Sequence, residues 1–317
     1  MDFFEHVTVA DLARHLSGAA ASAPMGDARE NRVEKPRQAI PVRTTGSERP
    51  LFLVHDGWGT VAYAQVLHRH VDEELPVYAL PPVSGEELPL RTIEGMATRL
   101  VRMVREVQPV GPYRLAGWSF GGILAWEMAA QLVGQDQAVE FLGMIDTYHP
   151  SVVGSGAGDT GHGESPPFRI LRGEDGGESD GVGAEDQASA ASEADPGAFA
   201  TRRREQGLLP GHLAVDEARE VQDRSRIYLL GLRGYGPRPL PLPVHLFFAR
   251  DDASVDPWRG WQTLLDEVSI SATPVPGTHR SMMEAPNVES LGRALSREIG
   301  RATASRNVLP EDTTHLS

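Results

Sequence analysis

From Pro50 to Asp146 the chain alternates short apolar runs with amphipathic stretches, and this alternation constrains the fold more than any other feature. "LFLVH" suits a buried strand; turn residues "DGWG" follow, then a helix expected to run through Val71. "PVYAL" is a second strand. Between Thr92 and Gln108, Ile93, Met96, Ala97, Leu100, Val101, Val104 and Val107 repeat at helical spacing, with Arg99, Arg102 and Arg105 off that stripe. "YRLAGW" is strand, Phe120–Val133 helix and "VEFLGMID" strand. Strands this continuously apolar are covered on both faces, which needs crossover helices and a parallel, doubly wound sheet.

After about residue 150 the alternation stops. Residues 151–196 are rich in Gly, Ser, Ala, Asp and Glu. They cannot bury enough surface to offset their ordering entropy, so much of this insert is expected to be mobile. Helical character returns from Val215 to Leu232, where Ile227, Leu229, Leu230 and Leu232 are expected to dock on the sheet domain. "PLPVHLFFARD" and "ISATPVPG" restart the strands, and Asn287 to Ile299 reads as a closing helix with Gly300 at its C′ position. Residues 301–317 are expected to form a flexible tail. At the other end, 1–16 carry an amphipathic helix pattern (Phe4, Val7, Val9, Leu12, Leu16) and 17–42 have linker composition.

Composition narrows the function. A net charge of −14 argues against nucleic acid as a partner, because phosphate binding needs a basic face. The absence of cysteine excludes disulfides, thiolate metal sites and a cysteine nucleophile. No run approaches the ~20 apolar residues of a membrane span, and "MDFFEHVTVADLARHL" lacks the pattern of a secretory signal. A cytoplasmic protein without a membrane partner is expected.

The chemistry centres on "AGWSFGG", Ala116 to Gly122. With 33 glycines in 317 residues, G-x-S-x-G arises easily by chance, so its setting must decide. Here Gly117 and Gly121 flank Ser119 where a buried strand gives way to a helix. A sharp turn of that kind would raise the hydroxyl above the carboxyl edge of the sheet, where ligands bind in open α/β folds. The helix N-terminus beginning at Phe120 would face an oxyanion there. A phosphate-binding loop is the rival reading, but G-x-x-x-x-G-K is absent and Lys35 is the only lysine.

A serine nucleophile needs a general base. Among 11 histidines, His279 in "VPGTHRSMM" follows the last strand and precedes the final helix, at the same sheet edge. His245 lies inside a strand and reads as a packed histidine. Asp146 ends the strand after the nucleophile helix, while Asp251 and Asp252 end the following one; either place can bring a carboxylate to the histidine. Gly57 N–H, in the turn after the first of these strands, and Phe120 N–H are the expected oxyanion donors. Trp118 either walls the pocket or packs in the core.

"RPLFLVHDGWG", "GPYRLAGWSFGGILAWEMAAQL" and "FLGMIDTYHP" resemble the type I thioesterase domains that end nonribosomal peptide synthetases. The resemblance implies an α/β-hydrolase fold over 43–300, with a long, mobile, helical lid insertion at about 148–238. It identifies 1–16 ("FFEHVTVADLARHL") with the last helix of a carrier domain. It implies a Ser119 acyl-enzyme, His279 as base and then acid, and Asp146 rather than Asp251 or Asp252 as the acid. The substrate would be a peptidyl or depsipeptidyl thioester, delivered on the 4′-phosphopantetheine arm of an upstream carrier domain in cis and released by macrocyclisation or hydrolysis. No cofactor or metal of its own is expected, and the excised domain is expected to be monomeric. One departure stands out. The family usually has Pro after the histidine of "LVH", and here Asp56 stands there, so its carboxylate must be paired or turned away from the oxyanion. His149 is a further candidate base on the lid side. An editing thioesterase, a small-molecule esterase and an inactive carrier-docking module are the competing functions.

Overall fold

The computed structural model describes residues 38–82, 91–154, 215–252, 256–264 and 268–308. The carrier-like segment 1–16, most of the linker, the centre of the lid insertion and the last residues of the expected tail lie outside them.

The strands are β1 (Ile40–Arg43), β2 (Leu51–Val54), β3 (Val77–Leu80), β4 (Tyr113–Trp118), β5 (Val139–Ile145), β6 (Val244–Ala249) and β7 (Ile270–Val275). They form one sheet in the order β1-β3-β2-β4-β5-β6-β7, parallel throughout except for β1, which runs antiparallel to β3 at the edge. The helices are α1 (Ala62–Leu67), α2 (Ile93–Val107), α3 (Phe120–Val133), α4 (Pro150–Gly154), α5 (Val215–Arg233) and α6 (Asn287–Val308). One face of the sheet is covered by α2, α3 and α5 around Leu100, Val104, Leu124, Met128 and Tyr228. The opposite face is covered by α1 and α6 around Leu67, Leu291, Leu295 and Ile299. Burial on both faces is why β2 and β4 have no exposed residue along their length. Strand order reverses between β2 and β4, so their carboxyl ends border the crevice where this architecture binds ligands.

Three expectations need correction. Ile40–Arg43 is a strand, not linker. Its β-branched Ile40 and Val42 fit a pleated edge that tolerates Pro41, and the Arg43 guanidinium fastens it to the carbonyls of His68, Asp72 and Leu75. The closing helix does not stop at Gly300, and 301–308 are helix rather than tail. Arg301 pairs with Glu298, and Thr303 bonds both Ile299 O and Glu140, so the last turns have partners of their own. Finally, α1 ends at Leu67, and the chain up to Val71 turns.

Helix α2 has the apolar stripe read from the sequence, with Thr92 Oγ1 accepting the Gly95 N–H at 3.1 Å to cap its start. The described parts of the expected insertion include α4 and α5, and α5 docks mainly through Val221, Tyr228 and Leu232. Leu230, expected to dock, is 49% exposed on the outer side of that helix.

Candidate active site

Ser119 occupies the single-residue turn between β4 and α3, with φ 57° and ψ −122°. A non-glycine residue in that region is strained by about 1–3 kcal/mol, and the surroundings must enforce it. They do so by close approach. A side chain on Gly121 would meet the His55 and Val54 carbonyl oxygens at 2.5 and 2.8 Å, and one on Gly117 would collide with the Gly121 carbonyl. The turn is also tied down: Ser119 N–H donates to Ile145 O at 2.8 Å, and Thr147 Oγ1 donates to Ser119 O at 3.0 Å. Ser119 makes no side-chain cap to α3, which leaves its hydroxyl uncommitted to the helix. Trp118 is almost buried, with its ring 5.7 Å from Tyr63 and 5.2 Å from His279. It therefore both packs in the core and places the imidazole beside the serine turn.

The two candidate positions for the acid separate clearly. Asp146 Oδ2 lies 2.7 Å from His279 Nδ1. A carboxylate can only accept, so Nδ1 carries the proton and Nε2 is left as the basic nitrogen. Asp146 is fully buried in the left-handed region at φ 45°, with its N–H bound to Phe247 O at 2.6 Å. Its other oxygen, Oδ1, accepts from Ala249 N–H at 2.9 Å and from Arg259 Nε at 2.8 Å. Burial alone would raise the acid's pKa. The His279 hydrogen bond and charge, the Arg259 charge and the Ala249 N–H together outweigh it and hold the carboxyl below its usual range. Asp251 is exposed and accepts the Gly277 N–H at 2.7 Å. Asp252 accepts the His279 backbone N–H at 3.3 Å and reaches Arg259 at 3.4 Å, but not the imidazole. Both shape the loop that carries His279.

After β2 the chain turns through His55–Thr60. Asp56 is paired as expected: Oδ1 accepts the Trp58 and Thr60 N–H groups at 2.9 Å each, and Oδ2 the Thr60 hydroxyl at 2.9 Å. Burial raises this carboxyl, with the Thr60 and Trp58 bonds and the Arg224 charge opposing. Among the described residues, the amides of Gly57 and Phe120 donate to no acceptor. They are the two groups expected to serve an oxyanion.

Three contributors escaped the sequence reading. Arg259, fully buried, meets the acid. Thr147 holds the serine turn. Tyr228 of α5 stacks on Phe120 at 4.3 Å and on His55 at 5.5 Å, bringing that helix against both turns. Ser225 Oγ also reaches Gly57 O at 3.3 Å. His149 engages Ser151 Oγ at 2.7 Å and the edge of Trp261, neither of them part of the Asp146–His279 pair. His245 stacks on Phe141 at 5.1 Å and contacts Ser271 Oγ at 3.0 Å, as a packed histidine should. No group of three His, Cys, Asp or Glu side chains gathers as a metal site among the described residues, and no described helix is long and apolar enough to cross a membrane.

Residues 49–299 match the family model for the thioesterase domain. A dimodular nonribosomal peptide synthase of Bacillus subtilis (strain 168) is 35% identical over 150 residues, which are 46% of this chain and 6% of that protein. The chain thus spans only a small part of such relatives. A four-domain nonribosomal peptide synthetase solved with AMP and glycine superposes with a TM-score of 0.65 at 25% identity, covering 85% of this chain and 21% of that one. The NocB thioesterase domain, solved as a covalent complex with a fluorophosphonate nocardicin G analogue, superposes with a TM-score of 0.57 at 24% identity, covering 80% of this chain and 96% of that domain.

Proposed function

The chain belongs to the thioesterase-domain family and has its α/β-hydrolase fold, and from that premise we propose that it releases a peptidyl chain from a carrier-bound thioester through a Ser119 acyl-enzyme. The observation that carries this reading is the 2.7 Å contact of Asp146 with His279 beside the strained Ser119 turn.

His279 Nε2 takes the Ser119 proton as Oγ attacks the thioester carbonyl. Negative charge develops on the carbonyl oxygen, toward the amides of Phe120 and Gly57; losing one such donor typically costs 10²–10³ in rate. The intermediate collapses, the carbon–sulfur bond breaks, and the imidazolium returns its proton to the pantetheine thiol. A second nucleophile then gives its proton to His279 and attacks the ester, the bond from the carbonyl carbon to Ser119 Oγ breaks, and the imidazolium returns the proton to Ser119 Oγ. Water yields the free acid; an amine or hydroxyl of the same chain yields a macrocycle. Asp146 orients the ring and stabilises the imidazolium in both halves. The lid helix stacked on Phe120 and His55 supports cyclisation, because a covered site keeps water from the ester. An upstream carrier domain in cis, presenting the chain on phosphopantetheine, is the proposed partner.

Turnover of a synthetic peptidyl-pantetheine thioester, with product masses read directly, tests this. S119A and H279A are expected to lose at least 10³-fold in kcat, and D146N about 10²–10⁴-fold. D252N, outside the imidazole contact, is expected to stay within tenfold of the parent. Full turnover by S119A, or a larger loss in D252N than in D146N, would refute the assignment.

A further inference from the structure

We infer that Arg259 is the positioning residue of the Asp146–His279 pair, a buried counter-ion that holds one carboxylate oxygen so that the other is aimed at the imidazole. The inference rests on the acyl-enzyme reading above.

The geometry divides the two oxygens of Asp146 between separate tasks. Oδ2 faces His279 Nδ1 at 2.7 Å, while Oδ1 is clasped by Arg259 Nε at 2.8 Å and Ala249 N–H at 2.9 Å. The clasp closes on itself, because Arg259 Nη2 donates to Ala249 O at 2.8 Å. One planar fork therefore spans the carboxylate and the carbonyl of Ala249, whose own N–H binds the same carboxylate oxygen, a shape that a lysine ammonium cannot reproduce. Both side chains of the ion pair are fully buried.

The loop carrying Arg259 is built around that placement. Asp256 accepts the Trp258 and Gly260 N–H groups at 3.0 and 2.8 Å, and Arg259 N–H returns to Asp256 O at 3.1 Å. Arg259 itself sits at φ 49°, a conformation that disfavours a non-glycine residue by about 1–2 kcal/mol. The guanidinium lies between the rings of Tyr148, 5.0 Å away, and Phe248, 5.8 Å away. An arginine needed only for solubility or loop shape requires neither the strain nor the burial.

Among the described residues, the charged and titratable groups in printed contact with Asp146 or with its guanidinium partner are Arg259, Asp252 and Tyr148, with Asp256 behind Tyr148. Arg259 is the only cation among them apart from a protonated His279. Its charge opposes proton uptake by the Asp146–His279 pair, so removing it must favour uptake. The acid limb of kcat/KM then moves to higher pH.

The test is the pH profile of kcat/KM on a pantetheine thioester for R259Q and R259K, with thermal melts to check folding. R259Q is expected to move the acid limb up by about one pH unit, within the range a neighbouring charge produces. R259K keeps the charge and is expected to leave the limb within about 0.3 units while losing roughly 3–10-fold in kcat, because it cannot hold Oδ1 and Ala249 O together. A folded R259Q with an unmoved limb, or an R259K with unchanged kcat, overturns the inference. Should R259Q not fold, the R259K rate and limb decide alone. Failure of the acyl-enzyme reading has a different signature: wild-type protein that takes no fluorophosphonate at Ser119, whatever the Arg259 variants do.

Discussion

His55 shows how a single buried ring ties stability to pH. Its Nδ1 lies 2.9 Å from the Asp56 carbonyl, which can only accept, so Nδ1 carries a proton and donates there. Burial lowers its pKa to about 4, with the Asp56 carbonyl bond opposing and the Arg224 charge assisting. The unfolded chain takes up this proton near pH 6.5, whereas the native protein refuses it until about pH 4. Stability is therefore intact above pH 6.5 and falls as pH drops through that window, by roughly 3 kcal/mol in total for a shift of this size. His55→Asn retains a donor for the carbonyl and does not titrate. Its urea midpoint is expected to fall less steeply than the parent's between pH 6.5 and 4; parallel profiles for the two proteins would contradict the account. At this scale the sequence revealed the residues proposed to make the chemistry and missed those that hold them. Ser119, His279 and Asp146 each lie at a strand end, where spacing and order point to a role. Arg259 sits in "DPWRGW", a loop with no periodic pattern, and only the folded chain brings it to Asp146.

At the scale of elements, legibility follows periodicity. The stripe of α2 is readable because burial repeats along it, whereas α3, β4 and β5 are apolar along nearly their whole length because they are covered on all sides or on both faces. The edge strand β1 is short, half-polar and interrupted by Pro41, so composition made it look like linker. Helix α6 exposes the opposite fault: Gly300 looked like a terminator but is passed over, because Arg301 and Thr303 beyond it have partners. Its backbone is helical rather than left-handed, and a methyl group there would meet nothing within 4 Å. Gly300→Ala is therefore expected to stabilise the protein by about 0.5–1 kcal/mol in denaturant titrations, since glycine in a helix interior carries that cost. Destabilisation would mean that the helix ends at Gly300 after all.

For the molecule as a whole, strand order reverses between β2 and β4, and the turns that follow these two parallel strands carry the two oxyanion candidates and the serine. Helix α5 covers these turns through Tyr228, and just past the end of the helix the Tyr235 hydroxyl donates to Glu127 at 2.9 Å. That bond adds to the packing of Val221, Tyr228 and Leu232, and polar contacts between distant segments leave no period in a sequence. The proposed chemistry requires one covalent species on this scaffold. Intact-mass spectrometry, within seconds of mixing with a peptidyl-pantetheine thioester, is the most direct test. The account predicts a gain equal to the peptidyl acyl group less one hydrogen, mapped by proteolysis to Ser119, decaying as product forms and absent in S119A. Product formation with no adduct at Ser119, or with the acyl group on another residue, would contradict it.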